Sequence, residues 1–124
     1  MAVTHTTATR NALAEAVRTA ANTGGTPVLN IHQTSGDTLL ASISLAVFGA
    51  ASSGVITSVS SGNADSSANA TGTAAYARVN RNDGTEVFRG AVGVGAGEVQ
   101  ISSTSIATGD TVTLTSNVTW TAPT

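Results

Sequence analysis

The chain has 124 residues with seven carboxylates, five arginines, no lysine and no cysteine, for a formal charge of −2. That length holds one domain with one modest core, which excludes a two-domain enzyme with a separate cofactor lobe. The cations form no cluster that could track a phosphate backbone, and the lack of cysteine removes disulfides, thiolate nucleophiles and cysteine-based zinc sites.

Ala, Thr, Ser and Gly supply 69 residues, against 26 for Leu, Ile, Val and Phe. A core built from such small pieces is marginal in an isolated monomer, so the composition points to partner subunits that add buried area. Disorder would call for high net charge or proline bias as well, and the chain has neither. Residues 1–10 lack the basic-then-apolar pattern of a signal peptide, and no apolar run approaches the ~18 residues of a membrane helix. The expectation is a soluble chain with no membrane partner.

Residues 1–25 read as an N-terminal arm and helix, and residues 26–124 as a β domain packed into the same compact unit. From Thr7 to Asn22 the apolar residues Leu13, Ala16, Val17, Ala20 and Ala21 recur at helical spacing. Arg10, Asn11, Glu15 and Arg18 fall on the other side. Thr6 or Thr7 caps the start, Glu15 and Arg18 are neighbours three apart, and Gly24-Gly25 ends the helix. The apolar stripe is expected to face the core.

After Gly25 short β-branched segments alternate with turn clusters, the pattern of an all-β domain. The fold expected is mainly β: an antiparallel β-sandwich or jelly-roll-like barrel with one N-terminal amphipathic helix. The strands expected are 27–33, 38–45, 54–60, 73–81, 85–94, 98–103 and 111–121. In the last, Val112, Leu114, Ser116, Val118 and Trp120 alternate with a mainly threonine row, which puts Trp120 toward the core. Asp83-Gly84 supplies a hairpin turn. Ser35-Gly36-Asp37-Thr38 and Thr108-Gly109-Asp110-Thr111 read as turns launching strands. Residues 60–72 hold almost no large apolar side chain, and read as an exposed loop, mobile or acting as an interaction arm.

Catalytic chemistry is not visible. His5 and His32 have no concentrated acidic partners, and Asp37, Asp65, Asp83 and Asp110 fall in turns, where Asp bonds its own backbone. Asn63-Ala64-Asp65-Ser66 lacks the acidic count of a calcium loop. Gly49-Ala50-Ala51-Ser52-Ser53-Gly54 lacks the spacing of a nucleophile elbow. Gly93-Val94-Gly95-Ala96-Gly97 misses the third glycine of a dinucleotide loop, since Glu98 stands there, and reads as a strand end or bulge. A two-carboxylate hydrolase would draw on Glu86 and Glu98, on strands whose relative register the sequence does not fix. Asn69-Ala70-Thr71 and Asn117-Val118-Thr119 match a glycosylation sequon by accident. No catalytic, cofactor-binding or metal residue is assigned.

The stretch Ala68-Asn69-Ala70-Thr71-Gly72-Thr73-Ala74-Ala75-Tyr76-Ala77-Arg78-Val79, then Asp83-Gly84-Thr85 and Ile106-Ala107-Thr108-Gly109-Asp110-Thr111-Val112-Thr113-Leu114, resembles a family of small proteins encoded among the structural genes of tailed bacteriophages and prophages. Met1-Ala2-Val3-Thr4 and Arg10-Asn11-Ala12 are similar to it too. The resemblance implies a non-catalytic virion component and carries no active-site residue. A small, weakly charged, Thr/Ser/Gly-rich β domain suits a capsid decoration or cement protein, assembled in the host bacterial cytoplasm and placed on the capsid surface. Its expected partners are the major capsid protein and copies of itself, with the N-terminal segment and residues 60–72 touching neighbours. The alternatives are a tail, neck or baseplate component and, more remotely, a carbohydrate-binding module using Trp120 or Tyr76 as an aromatic platform.

Overall fold

The computed structural model describes residues 3–124, apart from the side chain of Ser35. Met1 and Ala2, part of the resemblance and of the expected arm, lie outside the described residues. The protein is mainly β with one helix. The helix α1 spans Thr7–Asn22, and the Thr6 hydroxyl caps it by accepting a hydrogen bond from the Thr9 N–H at 3.2 Å. Gly24, at φ 82°, takes the left-handed conformation that stops it. No helix among the described residues is long and apolar enough to cross a membrane.

The strands in chain order are β1 (Val28–His32), β2 (Leu39–Ser44), β3 (Val55–Ser58), β4 (Ala64–Asp65), β5 (Gly72–Thr73) and β6 (Tyr76–Asn80). They continue with β7 (Glu86–Gly93), β8 (Val99–Gln100), β9 (Ser105–Ile106), β10 (Val112–Thr113) and β11 (Val118–Thr121). A curled five-stranded sheet runs β2-β1-β6-β7-β8, and the two-stranded ribbons β10-β4, β11-β3 and β5-β9 surround it. The expected hairpin at Asp83-Gly84 joins β6 to β7, with Gly84 at φ 93°. Strand alternation builds the core. Ile43, Leu29, Val79 and Phe88 are cross-strand neighbours in one inward row, and Ala41, Ile31, Ala77 and Gly90 form the next.

One pairing departs from an all-antiparallel arrangement. β7 and β8 run parallel, with Val92 opposite Val99, although only five residues connect Gly93 to Val99. Parallel neighbours ordinarily need a crossover of a dozen residues or more. Here the Gly93-to-Gly97 run makes the short connection possible: a Cβ on Gly93 would meet the Ala96 carbonyl oxygen at 2.5 Å.

Hydrogen bonding continues past both edges of the sheet. At β8, Ile101 pairs with Leu114, which leads into β10 and so to β4. At β2, residues 60–72 cover the strand. The Asp65 carboxylate accepts from the Ser42 N–H at 2.9 Å, the Asn69 N–H donates to the Leu40 carbonyl at 2.7 Å, and the Asn63 amide donates to the Ser44 carbonyl at 2.9 Å. The segment expected as an exposed loop is exposed along most of its length, but it is bonded to β2 as an edge cover containing β4, the start of β5 and the buried Ala68. An uncovered β2 would be a template for pairing with another chain.

The expected strand 111–121 is two strands. Its alternation holds, with Val112, Leu114 and Val118 buried, but the chain bends between Leu114 and Val118 so that β10 pairs with β4 and β11 with β3. The Asn117 side chain fixes the bend by accepting the Ser60 and Ser61 N–H groups, both at 3.1 Å.

The largest correction concerns the helix. Ala21 is buried and Val17 packs on the core as expected, and Ala14 is buried beside them, whereas Leu13 and Ala16, also expected inside, are exposed. The residues expected outside face the body. The Asn22 amide makes two bonds to the Phe48 backbone, donating to its carbonyl at 3.0 Å and accepting its N–H at 2.9 Å. Arg18 donates to the same carbonyl at 3.1 Å. Glu15 accepts the Ala51 N–H at 2.6 Å, Asn11 accepts the Gly54 N–H at 2.7 Å, and Arg10 donates to the Ala122 carbonyl at 3.2 Å. Phe48, Ala51 and Gly54 lie in the irregular stretch between β2 and β3, and those backbone groups need partners when the helix covers them. Gly54, at φ 77°, lets Arg10 close in, because a Cβ there would stand 3.0 Å from the arginine side chain.

Replacing Asn22→Ala leaves the Phe48 N–H without its partner and leaves the Phe48 carbonyl to Arg18 alone. The expected loss is about 1–3 kcal/mol in urea unfolding, larger than for an exposed position of the same helix such as Thr19→Ala.

Candidate functional site

The outward face of the five-stranded sheet carries the densest group of polar and aromatic side chains. Register dictates it. His32 on β1 lies opposite Tyr76 on β6, and Arg78 on β6 lies opposite Arg89 on β7. Residues two apart on a strand share a face, so Tyr76 and Arg78 adjoin.

Tyr76 is the centre. The His32 ring stacks on it at 5.4 Å between centroids with 13° between planes. The Arg78 and Arg89 guanidinium groups lie 5.6 and 5.3 Å from the tyrosine centroid. Two arginines directly opposite each other repel, and two carboxylates offset that cost. Arg89 bonds both Glu86 oxygens at 2.8 Å, while Arg78 bonds Asp37 at 2.7 Å and approaches Glu86 at 3.3 Å. Bidentate pairing by the Arg89 guanidinium, reinforced by the charges of Arg89 and Arg78, holds the Glu86 carboxyl below its usual range. Asp37, at φ 54° in the turn after β1, also places its backbone carbonyl 3.1 Å from His32 Nδ1.

Chemically this is a rigid, charge-balanced surface of the kind that supplies anchor residues at protein interfaces, where tyrosine and arginine are enriched. Glu86, held ionised by two arginines, is unsuited to proton donation at neutral pH. The other residues weighed from the sequence do not converge on a reacting centre. Asp65 uses one oxygen on Ser42 and the other on the Ser67 N–H at 2.9 Å. Asp83 accepts the Thr85 N–H, and Asp110 that of Ala107, both at 2.9 Å. His5, half-buried, lies in the short segment before α1, far in sequence from His32 on β1. No group of three or more His, Cys, Asp or Glu among the described residues is arranged to hold a metal ion. Trp120, expected in the core, packs against it from a partly buried position and also lines an open depression beside β7.

Comparison with protein-family models, with curated proteins and with solved structures returns no match.

The depressed Glu86 sets an acid limit. A carboxyl whose pKa is lower folded than unfolded contributes stability above its unfolded pKa, and that contribution disappears as pH falls through the folded value. Glu15, lowered by the Ala51 N–H and then by Arg18, acts in the same direction. Thermal midpoints should therefore hold from pH 7 to about pH 5 and fall below it, and Glu86→Gln should flatten part of that fall. An unchanged slope in the variant would show that the ion pairs do not couple to folding.

Proposed function

We propose that this chain is a non-catalytic structural protein of a tailed-bacteriophage particle, a decoration or cement protein that bridges capsid subunits on the head surface. In this reading the curled sheet and its ribbons form a sandwich or jelly-roll-like body. Its partners are the major capsid protein and further copies of itself.

The observation that carries the reading is the exposure of large apolar side chains on α1 and elsewhere on the surface. A chain poor in large apolar residues leaves several of them outside: Leu13 is 38% exposed on α1, Val3 82% just before it, and Val47 and Val59 are 53% and 73% exposed. Val47 and Val59 flank one pair of hydrogen bonds, from Ser58 to the Ala46 carbonyl and from the Ala46 N–H to Ser60. Scattered exposed apolar residues are ordinary on a large protein, but here they are drawn from a small supply that the core needed. A neighbouring subunit that covers them supplies the missing buried area. The proposed contact surface is accordingly the outer face of α1 and the Val47/Val59 region, while residues 60–72 are occupied with β2.

Two measurements test this. On purified particles, stoichiometry against the major shell protein should run to hundreds of copies; tens or fewer would move the protein to the neck or tail. In binding to those particles, a Leu13→Asp, Val47→Asp double variant should lose about 1–3 kcal/mol of affinity with its circular dichroism spectrum unchanged. Undiminished occupancy would contradict the assigned surface.

A further inference from the structure

The depression beside Trp120 has features that the decoration reading leaves unused. It lies where β7 and β11 approach each other, lined by Phe88 and Arg89 of β7, Thr119, Trp120 and Thr121 of β11, and Glu98 from the loop before β8. It opens there because β8 pairs with β7 only at Val92 and Gly93, leaving the earlier part of that edge uncovered. Its volume is about 280 Å³. That is just below the usual range for small-molecule sites, and it suits one side chain from a partner.

Its electrostatics are lopsided. Arg89 is neutralised, since both its bonds go to Glu86. The Glu98 carboxylate has no hydrogen-bond or ion-pair partner among the described residues. The depression is thus lined by one uncompensated carboxylate and by the chain's single tryptophan. Glu98 is also placed by a built-in gap: a Cβ on Gly90 would come within 2.9 Å of the Glu98 Cβ. Gly90 has no positive φ, so glycine is required there for room and not for backbone conformation. A carboxylate beside tryptophan is the pairing that recognises an organic cation, through charge attraction and the ring's quadrupole together.

We propose that this depression receives a cationic side chain, an arginine or lysine, from the protein that adjoins this one. An anionic guest would find the Arg89 fork already occupied. A sugar would use the tryptophan and the threonine hydroxyls but would gain nothing from the free charge. The identity of the neighbour rests on the decoration reading, whereas the chemistry of the pocket does not.

Because Trp120 is the only tryptophan, its fluorescence reports occupancy directly. The intact protein is titrated at low salt with N-acetylarginine amide and, in parallel, with its neutral isostere N-acetylcitrulline amide and with a maltooligosaccharide. The arginine compound should give a saturable change below about 50 mM, weakened about fivefold in Glu98→Gln and suppressed by added salt, with no saturable response to the other two. Gly90→Ala, which displaces Glu98, should weaken it as well. Equal responses to arginine and citrulline, a response indifferent to Glu98→Gln, a response to the sugar alone, or no saturable change would each overturn the proposal. Arginine binding together with absence from phage heads would leave the pocket intact and refute the decoration reading alone.

Discussion

The structure depends on satisfying the backbone of the irregular stretch between β2 and β3. That stretch has few ladder partners of its own, yet it must lie under the helix if α1 is to bury anything. Asn22 solves the problem at Phe48 with a two-point amide contact, and Glu15, Asn11 and Arg18 extend the solution along the same side of the helix. Once those bonds fix the rotation of α1, only Ala14 and Ala21 fit fully beneath it, with Val17 at the margin. The larger Leu13 is left outside for the same geometric reason. The surface available to a neighbour is thus a consequence of how the helix is held.

The same device recurs throughout the molecule. Where a larger domain would rely on long ladders and bulky packing, this chain uses short polar side chains to finish its backbone. Asp65 closes the β2 edge, Asn117 turns the chain between two sheet partners, and Ser58 and Ser60 share a buried hydroxyl contact beside Ala46. Each such bond contributes only about 1 kcal/mol net, but leaving a buried backbone group unpaired costs more. An abundance of Ser, Thr, Asn and Asp fits this construction better than it fits a flexible coat. It leaves the β2 edge covered, which removes that strand as a template for uncontrolled pairing.

What the sequence conveyed depended on whether the signal was local. The helix bounds, the Asp83-Gly84 hairpin and the β-branched strands from Val28 to Gly93 follow from propensity and turn chemistry within a few residues. The helix face did not, because alanine dominates both sides and an Asn-Glu-Arg row normally marks solvent. A signal was present: Asn11, Glu15, Arg18 and Asn22 fall on one stripe at spacings of four, three and four, beside the small residues Ala14 and Ala21. Residues 60–72 looked free because the groups they bond, on β2, lie some twenty to thirty residues earlier. In the cluster around Tyr76, the hairpin already brings Arg78 near Glu86 and Arg89, so part of it was legible. The contribution of His32 and Asp37 depends on β1 pairing with β6, which nothing local encodes. The register shift beside Asn80 likewise hides which β7 residue stands opposite which.

Amide hydrogen exchange tests the central claim most directly, read at the Phe48, Ala51 and Gly54 N–H groups, which bond to helix side chains. If the polar stripe of α1 holds this backbone, those three amides exchange as slowly as ladder amides of β1 and β6, despite lying in an irregular stretch. Exchange near the unprotected rate at all three, with α1 itself still protected, would show that the helix is docked by some other face.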